Sequence, residues 1–310
     1  MISENQIKEI VEAVITQMGI DNKEATFPKV SEVNKQNTQP ESKSSECNIN
    51  NTPENNFEKL EDLAAVDLKK EILVPAPIDR DALKFYKSTT PARIGVWRTG
   101  PRPLTRTILR FRADHAVAQD TVFNEVSEEF LDKFDLIQVK TKVKDKDEFL
   151  TRPDLGKRLS TEDLEKIKRE CPANPQIQII IADGLSSMAI EANLPHILPA
   201  VKQGLKNLGL STSKDIFVKY GRVGVMDEIG MTLGADVVLL LIGERPGLGT
   251  SESMSAYMIY KPTLDSMVSD HTVVSNIHKG GTPPAEAGAH LATVIKKIYD
   301  AKASGVKLSL

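Results

Sequence analysis

Three glycine-containing turns hold most of the side chains and backbone freedom with which this chain could grip a large ligand. They are Ala182-Asp183-Gly184, Tyr220-Gly221-Arg222-Val223-Gly224 and Gly243-Glu244-Arg245-Pro246-Gly247-Leu248-Gly249. Glycine lets main-chain amides and carbonyls approach a bound molecule closely, and Pro246 narrows the conformations of the last turn. The spacing argues against the familiar nucleotide chemistries: no turn carries G-x-G-x-x-G opening a helix, and none carries a Walker lysine. Ser186, Ser187 and Ser275 lack the G-x-S-x-G elbow of a hydrolase. Five histidines need no catalytic explanation, and His115 and His290 read as packing or surface residues on helices.

His278 invites a metal reading. Asn276-Ile277-His278-Lys279-Gly280-Gly281 approaches the D-x-H-x-x-G pattern by which some Rossmann-like domains place an imidazole on the cobalt of cobalamin. Asparagine stands where the aspartate would orient the ring, so a cobalt ligand is disfavoured and His278 is read as structural or interfacial. Asp183, Arg98, Arg102 and Asp227, polar residues in tight surroundings, are read as structural or as subunit contacts.

The elements that position these turns follow from hydrophobic patterning. After Pro172, apolar runs alternate with helices: a strand over 177–182, a helix within 186–208, then 216–220, 226–233 and 237–242. Nearly continuous Ile, Val and Leu in the strands imply a parallel sheet covered on both faces, a Rossmann-like α/β architecture. Ligands of such sheets sit beyond the carboxyl ends of the strands, where the three turns lie. Further strands are expected at 256–260 and 273–277, before a final helix over 284–303. Residues 69–172 read as mainly helical, with helices over 103–118, 124–134 and 160–170 and a short strand over 136–139; residues 173–310 read as the Rossmann-like domain.

The first twenty residues differ from both regions. Ile7, Ile10, Val11, Val14, Ile15 and Met18 recur at helical spacing, Ser3 and Gln6 form a capping-box pattern, and Gly19 is placed to end the helix. Residues 21–68, rich in Asn, Ser, Glu and Lys, read as a disordered tether. A helix on a leash of roughly 35–40 Å suits a docking peptide, and the alternative is that it folds back on its own core.

Composition narrows the partners. The chain has 310 residues, enough for one large or two modest domains, with 40 basic and 43 acidic side chains and a net charge of −3. That balance gives no general attraction to nucleic acid, and no apolar run approaches the roughly 20 residues of a bilayer span. Cys47 and Cys171 lack metal-ligand spacing, and a reducing compartment is favoured.

Several long segments, in order, carry a specific likeness: ARIGVWRTGPRPLTRTILRFRADHAVAQDTVF (92–123), TRPDLGKRLS (151–160), IADGLSSMAIEANLPHILPA (181–200), KYGRVGVMDEIG (219–230), LLLIGERPGLGTSESMSAYMIYKP (239–262), SNIHKGGTPPAEAGAHL (275–291) and KASGVKL (302–308). They resemble the small subunit of adenosylcobalamin-dependent ethanolamine ammonia-lyase, a carbon–nitrogen lyase. The resemblance implies a larger, barrel-shaped partner subunit with the cofactor between the two chains. Ethanolamine would be bound in the partner and converted by radical chemistry, begun by cobalt–carbon homolysis, to acetaldehyde and ammonia. It also implies a hetero-oligomer of six large and six small chains and a cofactor that keeps its own benzimidazole on cobalt. Carried onto matching positions, the cobalamin contacts fall at Val223, Glu244 and Val273, and no catalytic or metal-ligating residue falls on this chain. Glu244 and the Val223 and Val273 carbonyls can accept from corrin amides, while valine methyls cover apolar edges. Without the resemblance, Glu244 reads as a turn cap and Val223 as a core residue at a helix entry. Family members can carry cysteine where Val273 stands, so the contact implied there is through the backbone. Val273 reaches the ligand side if the strand at 256–260 is parallel and the next returns antiparallel. Enzymes of this family are often packed in bacterial microcompartments, a cytoplasmic location, and residues 1–20 have the form of an encapsulation peptide for a shell protein. The competing function is a stand-alone corrinoid carrier or sensor.

Overall fold

Strands built almost wholly of Ile, Val and Leu have to be covered on both faces, and this chain meets that demand with helices. The computed structural model describes residues 66–67 and 70–308; the expected leading helix, nearly all of the expected tether and Cys47 lie outside the described residues. In chain order the elements are α1 (Arg80–Thr89), β1 (Arg98–Thr99), β2 (Arg102–Pro103), α2 (Thr105–Phe123), α3 (Glu128–Leu131), β3 (Leu136–Lys140), α4 (Lys146–Thr151), α5 (Thr161–Glu170), β4 (Ile177–Ala182), α6 (Ser187–Asn207), β5 (Asp215–Lys219), α7 (Val225–Leu233), β6 (Val237–Gly243), β7 (Met254–Tyr260), β8 (Thr272–Ile277) and α8 (Pro284–Ala301).

Six strands form one sheet in the order β3-β5-β4-β6-β7-β8. The first four are mutually parallel, giving the mostly parallel α/β architecture expected from the apolar runs. Ile177, Ile179, Ile181, Leu239 and Leu241 face the α6/α8 side, and Ile180, Val238 and Leu240 face the α5/α7 side. All are fully buried, each contributing roughly 1.5–3 kcal/mol of apolar burial.

Three expectations are corrected. The strand at 136–139 lies in the stretch read as mainly helical, yet β3 is the sheet's edge, paired along its length with β5. A division at 172/173 therefore crosses the sheet. The strand directions beyond β6 are the reverse of those expected: β7 runs antiparallel to β6, and β8, antiparallel to β7, is parallel to the first four. Connection length explains this. Residues 244–253 are too few for a crossover of a dozen or more, so the chain turns straight back as a hairpin. The expected helix at 124–134 also shrinks to the single turn of α3.

Candidate functional site

The order β5-β4-β6 makes the gap between β4 and β6 a topological switch point, because the chain leaves β4 toward one side of the sheet and reaches β6 on the other. Crevices form at such points beyond the strand ends. A cleft of about 280 Å³ opens there, lined by Leu185 after β4, Arg222 and Val223 after β5, Glu244 after β6, Tyr257 of β7 and Ser275 of β8. All three glycine-containing turns contribute to it.

Asp183 ties the first two turns together. Its Oδ1 accepts the backbone N–H groups of Gly184 at 2.8 Å and Gly221 at 3.0 Å, and its Oδ2 accepts that of Tyr220 at 2.9 Å. Burial pushes its carboxyl up to about 6, against the pull of those donors. The clamp supports a costly turn: Tyr220 has φ of +59°, a left-handed conformation rare for a bulky side chain. Its ring is stacked on Phe149 with centroids 5.7 Å apart, and its hydroxyl donates to Glu125. Asp183 is thus a structural residue, as its surroundings suggest.

Glu244 is the cleft's carboxylate. Ser253 Oγ donates to its Oε2 at 2.6 Å, Ser255 Oγ donates to its Oε1, and the Asn276 backbone N–H reaches Oε1 at 3.3 Å. Burial pushes its pKa up, but these donors outweigh burial and hold it below the usual value. The result is a charged, pre-oriented acceptor; Oε2, with one protein donor, retains a lone pair for a ligand N–H. Val223 is half-buried beside it, packed on the α5/α7 core.

Val273 is not among the residues that line this cleft. It pairs with Tyr257, which itself pairs with Leu240 in the middle of β6, so it stands at mid-strand height rather than at the rim. Its side chain is 42% exposed. A second lobe of about 450 Å³ adjoins the first, sharing Arg222, Val223 and Tyr257, and continues past Lys157, Arg158 and His271. The geometry brings Val223 and Glu244 into one cleft and sets Val273 beside the tyrosine common to both lobes.

His278 is engaged within its own turn: its Nδ1 accepts the Gly280 N–H at 3.1 Å and its Nε2 lies 2.9 Å from Asn276 Oδ1. A further cavity of about 370 Å³ lies under α2, but Arg93 and Arg110 there pair with Asp114, and Arg106 pairs with Glu71. It reads as a packed ionic layer.

The model of the ethanolamine ammonia-lyase light chain matches residues 80–309, a span that contains every residue of both lobes. The chain belongs to the ethanolamine ammonia-lyase light-chain family. The chain is 50% identical over 308 residues to the ethanolamine ammonia-lyase small subunit of Clostridium perfringens, covering 99% of this chain and 100% of the relative. It is 56% identical over 247 residues to that of Listeria monocytogenes (80% and 84% covered). For Clostridioides difficile the identity is 52% over 249 residues (80% and 85%). Membership makes it a lyase subunit, and a small subunit implies a large one.

Sequence reasoning missed Ser253, Ser255 and Tyr257, which the hairpin of β6 and β7 brings to the cleft, and the pair His271–Asp227. Isolated serines in a loop carry no pattern; only the hairpin, legible from connection length, could have pointed to them.

Proposed function

We propose that the cleft binds adenosylcobalamin between this chain and the large subunit, and that the assembled enzyme converts ethanolamine to acetaldehyde and ammonia. The observation that carries this is Glu244, a charged acceptor pinned by Ser253, Ser255 and the Asn276 N–H at the switch point of the sheet. A corrin ring is fringed with amides, whose N–H groups such a carboxylate accepts, while Val223 and Leu185 offer apolar cover. When bound, the cofactor supplies the radical chemistry; this chain's residues hold, orient and shield it. Val273, beside Tyr257, contributes a contact on the groove's flank.

Partner association is supported by α2. Its inward stripe, Thr107, Arg110, Asp114, Ala118 and Thr121, is mostly polar, whereas Ile108, Leu109, Phe111 and Val117 are exposed. Exposed apolar surface of this kind marks an interaction face. The proposed assembly has six large and six small chains and resides in a bacterial microcompartment in the cytoplasm, with residues 1–20 docking on a shell protein. Among the described residues no helix is long and apolar enough to cross a membrane.

Co-expression tests the central reading: ethanolamine-dependent acetaldehyde formation should require both chains. Full activity from the large chain alone would overturn it, and tight corrinoid binding by this chain in isolation would favour a carrier or sensor. For the leading helix, a reporter fused to residues 1–20 should move to assembled shells.

A further inference from the structure

The second lobe is basic, and that asks for an anion. Lys157, Arg158, Arg222 and His271 line it, against one acidic side chain, Asp227. Asp227 is already committed, its Oδ1 lying 3.0 Å from His271 Nε2. Among the described residues Arg158 has only a long contact of 3.9 Å with Glu228, whose other oxygen accepts the Leu159 N–H at 2.6 Å. Among the described residues Lys157 has no ion-pair partner. Arg222 is held rigidly, its guanidinium 4.1 Å from the Phe149 ring centroid and its Nη2 donating to Phe149 O at 2.8 Å. Its Nε is buried with no hydrogen-bond partner, a state that costs free energy.

We propose that this lobe binds the phosphodiester of the corrinoid's nucleotide arm, with Lys157 and Arg158 as its principal counter-charges and Arg222 at the junction with the first lobe. The proposal rests on the cofactor reading above and divides the ligand between two chemistries: amide-bearing ring at Glu244, anionic arm at Lys157 and Arg158. The shared lining of the lobes makes them one groove, so a single ligand can occupy both. Guanidinium and ammonium groups suit phosphate oxygens, the former by two-pronged hydrogen bonding and the latter as a mobile point charge.

Equilibrium titration of the full two-subunit complex tests this with four probes: cobalamin, cobinamide phosphate, cobinamide, which lacks the phosphate, and inorganic phosphate. Lys157 is exposed and Arg158 half-buried, so Lys157→Gln and Arg158→Gln leave the core intact. Each is expected to weaken cobalamin and cobinamide phosphate about tenfold, the equivalent of one charged contact, and to leave cobinamide unchanged. Glu244→Ala should weaken all three corrinoids together. Raising salt should weaken cobalamin more than cobinamide. Equal weakening of cobalamin and cobinamide by Lys157→Gln, or no effect on either, would overturn the proposal. Inorganic phosphate competing with cobinamide as well as with cobalamin would also count against it. Binding of no corrinoid by the unaltered complex would remove the cofactor reading itself, an outcome distinct from failure of the arm assignment alone.

Discussion

The carboxylate of Asp183 reaches from the end of β4 to the turn after β5, where its Oδ2 accepts the Tyr220 backbone N–H at 2.9 Å. One buried side chain therefore sets the distance between two of the three turns that line the cleft. Its two oxygens serve three main-chain donors, and no apolar residue could replace it without leaving those donors stranded.

Asp183→Ala is expected to destabilise the chain by about 3 kcal/mol or more, since each orphaned buried N–H costs roughly 1–3 kcal/mol; urea unfolding measures this. The pH dependence has a definite sign. The native carboxyl, pushed up to about 6 from an ordinary 3.8, binds its proton more tightly than the unfolded one. Its contribution is therefore greatest below about pH 4 and declines as pH rises to about 6, by an amount on the order of 3 kcal/mol. The stability difference between wild type and Asp183→Ala should narrow across that window and level off above it.

Gly184 is the neighbouring constraint. Its φ is +58°, and a Cβ there would stand 2.3 Å from the Gly243 carbonyl oxygen, so Gly184→Ala forces the ends of β4 and β6 apart. A loss of several kcal/mol is expected, from backbone strain plus steric displacement. Gly247→Ala, with nothing within 4 Å of the added carbon, should leave the melting temperature nearly unchanged. Equal shifts for the two variants would show that the β4–β6 contact is not tight.

What the sequence revealed of this site, and what it hid, follows from how each feature is encoded. Burial of β4, β5 and β6 on both faces leaves nearly continuous apolar runs, so the strands and the turns at their ends were legible. The direction of β7 was not, because alternation and apolarity are the same for parallel and antiparallel strands; only the connection 244–253 distinguishes them. Glu244 stood out as a carboxylate in a glycine-rich turn, but the serines that pin it come from the returning strand and the loop before it. β3 was visible as a strand while its membership of the main sheet was not, since its partner β5 lies far along the chain. His271 and Asp227, 44 residues apart, belong to no local pattern at all.

That pair makes a pH prediction of its own. His271 Nδ1 faces the Met267 carbonyl at 3.0 Å and Nε2 faces Asp227 at 3.0 Å; two acceptors require two N–H donors, the imidazolium form. Tyr257 packs edge-on against the ring. Burial lowers the histidine's pKa, but the Asp227 bond and charge outweigh it and raise the pKa above 6.5. Stabilisation by the pair is thus fully present below about pH 6.5 and lost as pH rises through the higher native value. NMR titration should find His271 ionising above an ordinary histidine, and Asp227→Asn should bring it down. A ring that titrates unchanged in the variant would show that Asp227 does not hold its charge.

Glu244 divides binding from stability. Its serine and backbone donors keep the carboxyl ionised, so its contribution to stability persists above about pH 4.5 and is lost as pH falls through the lower native value. Glu244→Ala removes a charged acceptor from ligand amides, and on the proposed function corrinoid affinity of the two-chain complex should fall about 10- to 100-fold, as loss of a hydrogen bond to a charged group implies. Glu244→Gln keeps one carbonyl acceptor and should lose less. Titration with cobinamide separates the contact from the radical reaction, because no turnover is needed to read it. Unchanged affinity in both variants would move the ring off this carboxylate.

The outward face of α2 bears on how the large subunit seats. Between residues 92 and 113 the chain carries six arginines and no acidic side chain, and Arg93, at the head of this run, donates to the Leu248 carbonyl at 3.0 Å. Leu248 belongs to the turn that begins with Gly243, and Arg93 also pairs with Asp114 of α2 at 2.5 Å, so α2 is tied through Arg93 to the loop beside the cleft. Interfaces draw their energy from aromatic, arginine and large apolar anchors of this kind. Leu109→Glu and Phe111→Glu replace side chains that are 50% and 46% exposed, so the isolated chain should unfold within about 0.5 kcal/mol of wild type. Association with the large subunit should nevertheless weaken at least about tenfold, most of it as faster dissociation. Surface plasmon resonance with immobilised large subunit reads both rates; wild-type affinity in both variants would place the large subunit on another face and leave α2 for a different partner.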